Sequence, residues 1–512
     1  MFLSRSVIRS VDVTLIVHAF MFNMILGGGF ATGTIDLGGL EVCGPDNLGA
    51  TFYEPSSMPD GFFVLGHYSQ CNNKPLFGWV LGAKPGASDP LSLAIPTGYS
   101  LIWTSEAQKI KQDDNGYIWL PVAPDGYKPV GYIVTTSPEK PSLERIRCVR
   151  SDYTEIAEFD RWIWGLKNEI DPKGLNVYRS RPKDRGVQAM GVSTGSFMVQ
   201  NTGGSADVSL PYCLKNTKNT LLAMPMPNQI NALINAYSPI IYFHPDEKYL
   251  PSTINWYFQN GALLYQKGLE NSPSPIEPDG SNLPQGGSDD GSYWLDLPID
   301  NSAKEKVKKG DLDSANAYFH VKPMFGATFT DIAIWVFYPF NGPARAKLEF
   351  LTISLGKIGL KSVYFSEHSG GTLLDASQVE FEKGNKPVAY ASLNGHAFYS
   401  KPGLVLQGNG RNGIRNDTAK GKAVMDTGVR AVVVSVNHLT LVEPPWLNYS
   451  RKWGPKLSYD IAKEIEKVKK VLPGRLKEVL ERIVNGVPNE VLGEEGPSGP
   501  KMKNNWSGDE KY

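Results

Sequence analysis

The sequence predicts a mainly β protein, with a β-prism-like repeat domain followed by a β-sandwich domain with C-terminal helices. Three observations lead there. Turn formers are abundant, with 52 Gly and 37 Pro in 512 residues, and aromatics reach 11%; turns interleaved with aromatic and β-branched runs are the mark of strands. The first third of the chain repeats itself. Beyond about residue 317, strand-length apolar runs recur with polar turns between them.

The bulk numbers bound the function. A chain of this length holds roughly two to four domains of about 150 residues. Lys plus Arg (52) equals Asp plus Glu (52), which argues against an extended nucleic-acid surface. The four cysteines, Cys43, Cys71, Cys148 and Cys213, are far apart and form no CxxC pair. Mostly reduced thiols of a cytosolic protein are the expectation. Residues 1–28 form an apolar leader. Its run "VTLIVHAFMFNMIL", Val13 to Leu26, is too short to span a bilayer comfortably and suits a signal-type core or a buried segment. Sequons at Asn416, Asn448 and Asn505 are compatible with secretion.

The first domain, residues 29–215, is defined by repetition. "ATFYEPSSMPDGFFVLGHYS" (Ala50 to Ser69) aligns with "GYIWLPVAPDGYKPVGYIVT" (Gly116 to Thr135), matching Pro55 to Pro121 and Gly66 to Gly131. Pro-x-Gly-aromatic recurs at Pro59, Pro96 and Pro124, so "PTGYSLIW" from Pro96 reads as a third copy. Proline presets the turn, glycine supplies its positive φ, and the aromatic opens a strand. Units that cannot bury their faces alone stack around a shared axis.

The second domain, residues 216–450, begins with "MPNQINALINAYSP", whose Ile230, Leu233 and Ile234 have helical spacing. Residues 268–292 lie in a long Pro/Gly/Ser/Asp loop that reads as a flexible excursion or flap. Strands follow at "AYFHVKPMF", "DIAIWVFYPFN", "KSVYFSEHSGG", "KPVAYASLNGHAFYS" and "AVVVSVNHLTLV", with sandwich-like spacing. In residues 451–512, Ile461, Ile465, Val468, Leu476, Val479, Leu480 and Ile483 mark two amphipathic helices broken at Pro473-Gly474, and a surface tail follows.

No nucleotide-binding, serine-hydrolase or HExxH motif occurs, so no complete catalytic signature favours an enzyme. The best chemistry is a composite. His244, Asp246 and Glu247 in "FHPDEKY", Glu367 and His368 in "SEHSGG", and His396 in "NGHAFY" stand beside turns, where β scaffolds carry their sites. Imidazole with carboxylates can take a divalent cation or move protons. Asp375, Asp417 and Asp426 are further carboxylates. Against this stands the plainer reading that these groups satisfy turn backbone and solvent. Arg411 and Arg415, with Lys420 and Lys422, lie among glycines in "GNGRNGIRNDTAKGK" and form a candidate anion cradle.

"PDGFFVLGHYSQCNNKPLFGWVL", "YSPIIYFHPDEKYLPSTINWYFQNGALL", "FYPFNGPARAK", "YFSEHSGG", "ASLNGHAFYSKPG" and "EPPWLNYSRKWGPK" together resemble the plant branch of the vacuolar protein sorting-associated protein 62 family. The resemblance covers nearly everything after about Gly29. It implies vacuolar trafficking and no established reaction. Its first part is similar to membrane-associating β-prism modules. Its second part resembles, more distantly, the sandwich of necrosis-inducing secreted toxins, where an Asp/His/Glu cluster holds a cation. Two departures matter. The family continues from "LGKIG" through a Gly-Asp-Trp-Glu-His segment before "VYFSEHSGG"; here Gly359 to Val363 joins them directly, which predicts a damaged sandwich or a lost site. The family also lacks the apolar leader.

The expectation is a non-enzymatic protein of vacuolar or endomembrane trafficking, cytoplasmic and peripheral to membranes. Its expected partners are acidic phospholipid membrane or trafficking proteins. The alternatives are a cation-dependent hydrolase or sugar/lipid-head-group binder in the second domain, and a secreted toxin-like protein if Met1 to Leu26 acts as a signal.

Overall fold

The computed structural model describes residues 15–18, 35–38, 49–55, 58, 60–71, 78–86, 89–106, 115–165, 174–201, 211–217, 224–288, 290–341, 345–356, 359–367, 370–408, 413–454 and 497–509. Strands dominate them, with α-helices at Pro227–Tyr237, Ile254–Gln259 and Asn301–Lys308. The chain forms two compact units. One comprises Met1–Thr220 with Phe325–Ala327; the other comprises Leu221–Met324 with Thr328–Tyr512.

The first unit is built three times over. Gly49–Tyr53 pairs with Ile35–Gly38 and Tyr68–Cys71. Tyr117–Val122 pairs in the same way with Gly98–Thr104 and Ile133–Thr135, and Leu175–Pro182 with Thr154–Gly165 and Phe197–Asn201. One core takes Phe52 from the first set, Trp103, Ile118 and Tyr132 from the second, and Trp164, Val177 and Phe197 from the third. Alternation along each strand turns these residues to one shared side. The three sets meet at Gly66, Gly131 and Ser196. A Cβ on Gly66 would lie 2.8 Å from Gly131 Cα and 3.1 Å from Ser196 Cβ, so the matched glycines are required by backbone contact.

The third copy is therefore Leu175–Asn201. Pro96 leads into Gly98–Thr104, the first strand of the second set, which corrects the assignment made from the turn motif. Part of the apolar leader, Leu15–His18, pairs antiparallel with Gly82–Pro85. Cys148 and Cys213 are free and buried, whereas Cys71 is disulfide-bonded, a departure from mostly reduced thiols at that position. Cys43 and Pro59 lie outside the described residues.

The second unit centres on a six-stranded sheet in the order Gly370–Asp375, Gly359–Glu367, Arg345–Gly356, Phe329–Asn341, Ala317–Met324 and Ala431–Val436. Only the last pairing is parallel. The Phe329–Asn341 strand is apolar on both faces. Ile332, Ile334, Val336 and Tyr338 face a core shared with Ile241, Ala389 and Phe398 of a second sheet and with Phe243 just beyond it. Ala333, Trp335 and Phe337 face another core with Tyr257, Trp446, Trp453 and Trp506. That double burial explains the unbroken apolar run of the sequence.

Three expectations meet structure here. The Met226 to Pro239 pattern forms the helix Pro227–Tyr237, burying Ile230 and Ile234. The long loop is no free excursion: Ser274–Pro275 pairs with Leu263–Gln266, and Ile276 and Leu283 are buried in the aromatic core. The two apolar anchors were hidden among its polar residues. At the shortened junction, Gly356 pairs with Gly359 and Ile353 with Val363, so the described strands on its two sides are paired with one another. The helices expected after residue 451 fall in 455–496, outside the described residues. Beyond them, Lys322 Nζ, fully buried, donates to the carbonyls of Asn505 (2.8 Å) and Gly508 (3.3 Å). His320 stacks on Trp506 at 3.9 Å.

Candidate functional site

The strand Ile240–Tyr242 ends in a tight turn in which Glu247 N donates to His244 O at 3.0 Å. His244 serves that turn, because its Nδ1 accepts from Asp246 N at 3.1 Å. Asp246 itself is 80% exposed. Glu247 takes the opposite course, with a side chain only 2% exposed. Its Oε1 accepts from Lys248 N (2.9 Å) and Tyr249 N (2.8 Å), and its Oε2 accepts from Asn394 N (2.7 Å). One carboxylate thus orders two loops from distant parts of the chain.

His396 comes from the second of those loops, the turn between Lys386–Ala391 and Phe398–Tyr399. The turn is closed by Ser392 N to Ala397 O and by His396 N to Ser392 O, each 2.9 Å. Asn394 and His396 have φ of 61° and 58°, a conformation that L residues adopt at a cost of about 1 kcal/mol or more each. The imidazole is fully buried and stacks on Tyr338 with centroids 3.9 Å apart and planes at 8°. Asn341, oriented by its hydrogen bonds, donates its amide to His396 Nδ1 (3.2 Å), Asn394 O (2.7 Å) and Gly395 O (3.3 Å). An acceptor Nδ1 assigns the neutral ring's proton to Nε2. Nε2 lies 3.4 Å from Glu247 Oε2, off the line of a hydrogen bond. Burial by itself would raise the Glu247 pKa; the contact with His396 and the amides of Tyr249 and Asn394 outweigh it and hold the carboxyl below its usual range.

The structure therefore brings Glu247 and His396 together and leaves His244 and Asp246 at the turn. Glu367 pairs with Gly370 across a separate hairpin, and burial raises its pKa against a hydrogen bond from Thr372. Among the described residues no three His, Cys, Asp or Glu side chains form a group able to hold a metal ion. His368 and Arg411 lie outside the described residues, as does the side chain of Arg415. Lys420 belongs to no anion cradle: its Nζ meets Glu382 Oε1 at 2.5 Å and Glu380 Oε1 at 4.0 Å. Asp426 binds Lys386 at 2.6 Å. Asp375 caps the short turn Ala376–Gln378, and Asp417 offers its carbonyl to Leu393 N. The sequence reading missed Asn341 and Tyr338, which complete the Glu247–His396 cluster. The signal for them was slight, a polar residue ending an apolar strand.

These features define a mainly β protein of two compact units. The chain belongs to the vacuolar protein sorting-associated protein 62 family, whose model matches residues 13–510. Comparison with curated proteins gives no match. Among solved structures, the crystal structure of GNIP1Aa from Chromobacterium piscinae is 17% identical with a TM-score of 0.30, covering 40% of this chain and 38% of that one. NLPPya in complex with glucosamine is 14% identical with a TM-score of 0.22, covering 35% of this chain and 69% of that one. No helix of the described residues is long and apolar enough to cross a membrane.

Proposed function

We propose that this chain is a non-enzymatic protein of vacuolar and endomembrane trafficking that associates peripherally with acidic phospholipid membrane or with trafficking proteins. The family match over residues 13–510 is the observation that carries the reading. The buried Glu247–His396 pair adds to it. A proton-transfer group must come within hydrogen-bond reach of its substrate, and the side chains of this pair are 2% and 0% exposed.

The experiment is flotation of the purified full chain with vesicles of phosphatidylserine and phosphatidylcholine. Comigration at low salt that weakens as salt rises is the expected result, since exposed charge contacts are screened over about 10 Å at 0.1 M. A chain that stays at the bottom of the gradient at low salt removes the lipid part of the proposal.

A further inference from the structure

Beside the paired strands Ile240–Tyr242 and Lys386–Ala391 of the second unit, the side chain of Lys420 sits in a cage made by its own chain. Its Nζ lies 4.4 Å from the centroid of the Tyr242 ring and contacts the carboxylates of Glu382 and Glu380. Tyr242 and Tyr390, neighbours across paired strands, hold their rings 5.8 Å apart at 22°. The Tyr242 hydroxyl donates to Glu382 Oε2 at 2.7 Å and the Tyr390 hydroxyl to Glu380 Oε2 at 2.8 Å. The tyrosines thus pin both carboxylates by bonds that do not involve the lysine. An aromatic face beside fixed carboxylates is the chemistry that recognises an organic ammonium group.

We propose that this cage is a binding site for an organic ammonium ligand, occupied in the free protein by Lys420. Two observations make the occupant displaceable. The Lys420 side chain is 46% exposed, so it leaves by rotating into solvent. The backbone that carries it is fixed: Gly421 N donates to Phe243 O at 3.0 Å and Phe243 N to Ala423 O at 3.1 Å, and a Cβ on Gly421 would lie 2.3 Å from Phe243 O. Side-chain exchange therefore needs no refolding of the loop. The charge is also complementary. Lys386 is held by Asp426 at 2.6 Å and the exposed Lys383 lies 3.4 Å from the same carboxylate, so among the described residues rotation of Lys420 leaves Glu380 and Glu382 without a direct ion pair. This site lies in the second unit and is independent of the trafficking proposal.

The test is calorimetric titration of the full chain with choline chloride and with choline's uncharged carbon isostere. The wild type binds choline, Lys420→Met binds it about tenfold more tightly, and the isostere binds much more weakly to both. Tyr242→Leu loses binding. Should that variant fail to fold, Glu380→Gln, at a 43% exposed position, weakens choline binding severalfold. Equal choline affinity in wild type and Lys420→Met, equal binding of the isostere, or no choline binding at all would overturn the proposal. Sedimentation of Lys420→Met with phosphatidylcholine vesicles assigns a lipid headgroup as the source of the ammonium; choline binding without sedimentation assigns a soluble amine.

Discussion

Glu247 Oε2 and His396 Nε2 stand 3.4 Å apart inside the second unit, and the same carboxylate oxygen accepts the backbone N–H of Asn394. The pair fastens the turn that follows Ile240–Tyr242 to a turn whose backbone is strained at Asn394 and His396. Removing the fully buried imidazole takes away its stack on Tyr338 and the acceptor of the Asn341 amide, which costs about 3 kcal/mol. We expect His396→Ala to lower stability by about that amount in denaturant melts. A chelator should leave the difference unchanged, because the proton assigned to Nε2 leaves that nitrogen no lone pair for a metal. A chelator-dependent difference would contradict this assignment.

The same carboxylate shapes the acid limb of stability. Its folded pKa is held below the ordinary value of a glutamate carboxyl. The stabilisation is complete above the unfolded value and is lost as pH falls through the folded one. Glu247→Gln should therefore melt lower than wild type near neutral pH, with the difference narrowing below about pH 4.5. A constant difference across that range would contradict the assignment.

Two other histidines act over a different window. Burial first, with nearby Arg145 and Lys322 respectively, lowers His67 and His320 from 6.5 to about 3. Between these values the unfolded chain binds protons that the folded chain refuses, so stability falls as pH drops from 6.5 toward 3. Replacing His67 with Gln, which retains an acceptor for Val134 N, should flatten the slope of melting temperature against pH. An unchanged slope would show that His67 is not neutral in the folded state.

The contact of repeats in the first unit gives a sharp steric test. Gly66→Ala places a methyl 2.8 Å from Gly131 Cα, whereas a Cβ at Gly98 meets nothing within 4 Å. The first substitution should destabilise by about 2 kcal/mol or more, and Gly98→Ala by less than about 0.5 kcal/mol. Thermal melts of the two variants side by side decide it.

The sequons are engaged in the fold. Asn416 and Asn505 are 2% and 9% exposed, and Asn448 Oδ1 accepts from Lys501 Nζ at 2.5 Å. Chain expressed in a glycosylating host should carry no glycan at Asn416 or Asn505 by mass spectrometry. A glycan on the folded protein at Asn416 would contradict its burial.

The β class was legible because strands and turns are written locally, in alternation and in Pro/Gly punctuation. Two of the three repeats were legible through Gly66 and Gly131. The third was hidden because Ser196 replaces the glycine and "RPKDRG" replaces the Pro-Asp-Gly turn, while the three-strand pairing is kept. Glu247 and His396 were both visible as candidates, but their pairing depends on long-range register. Asn341, which assigns the tautomer, lies at a strand end that no periodicity singles out. Lys420 read as basic among glycines, and only the fold shows that Glu380, Glu382 and Tyr242 surround it.

The central proposal is a trafficking role without catalysis. The most direct measurement is the fraction of a soluble vacuolar cargo secreted by cells lacking this chain, with rescue by the wild type and by a variant of the buried pair that retains the fold, Glu247→Gln. The account predicts increased secretion on loss of the chain and restoration by both proteins. Normal cargo delivery in the cells lacking it would contradict the trafficking role, and rescue by the wild type alone at equal protein levels would contradict the non-catalytic reading of Glu247.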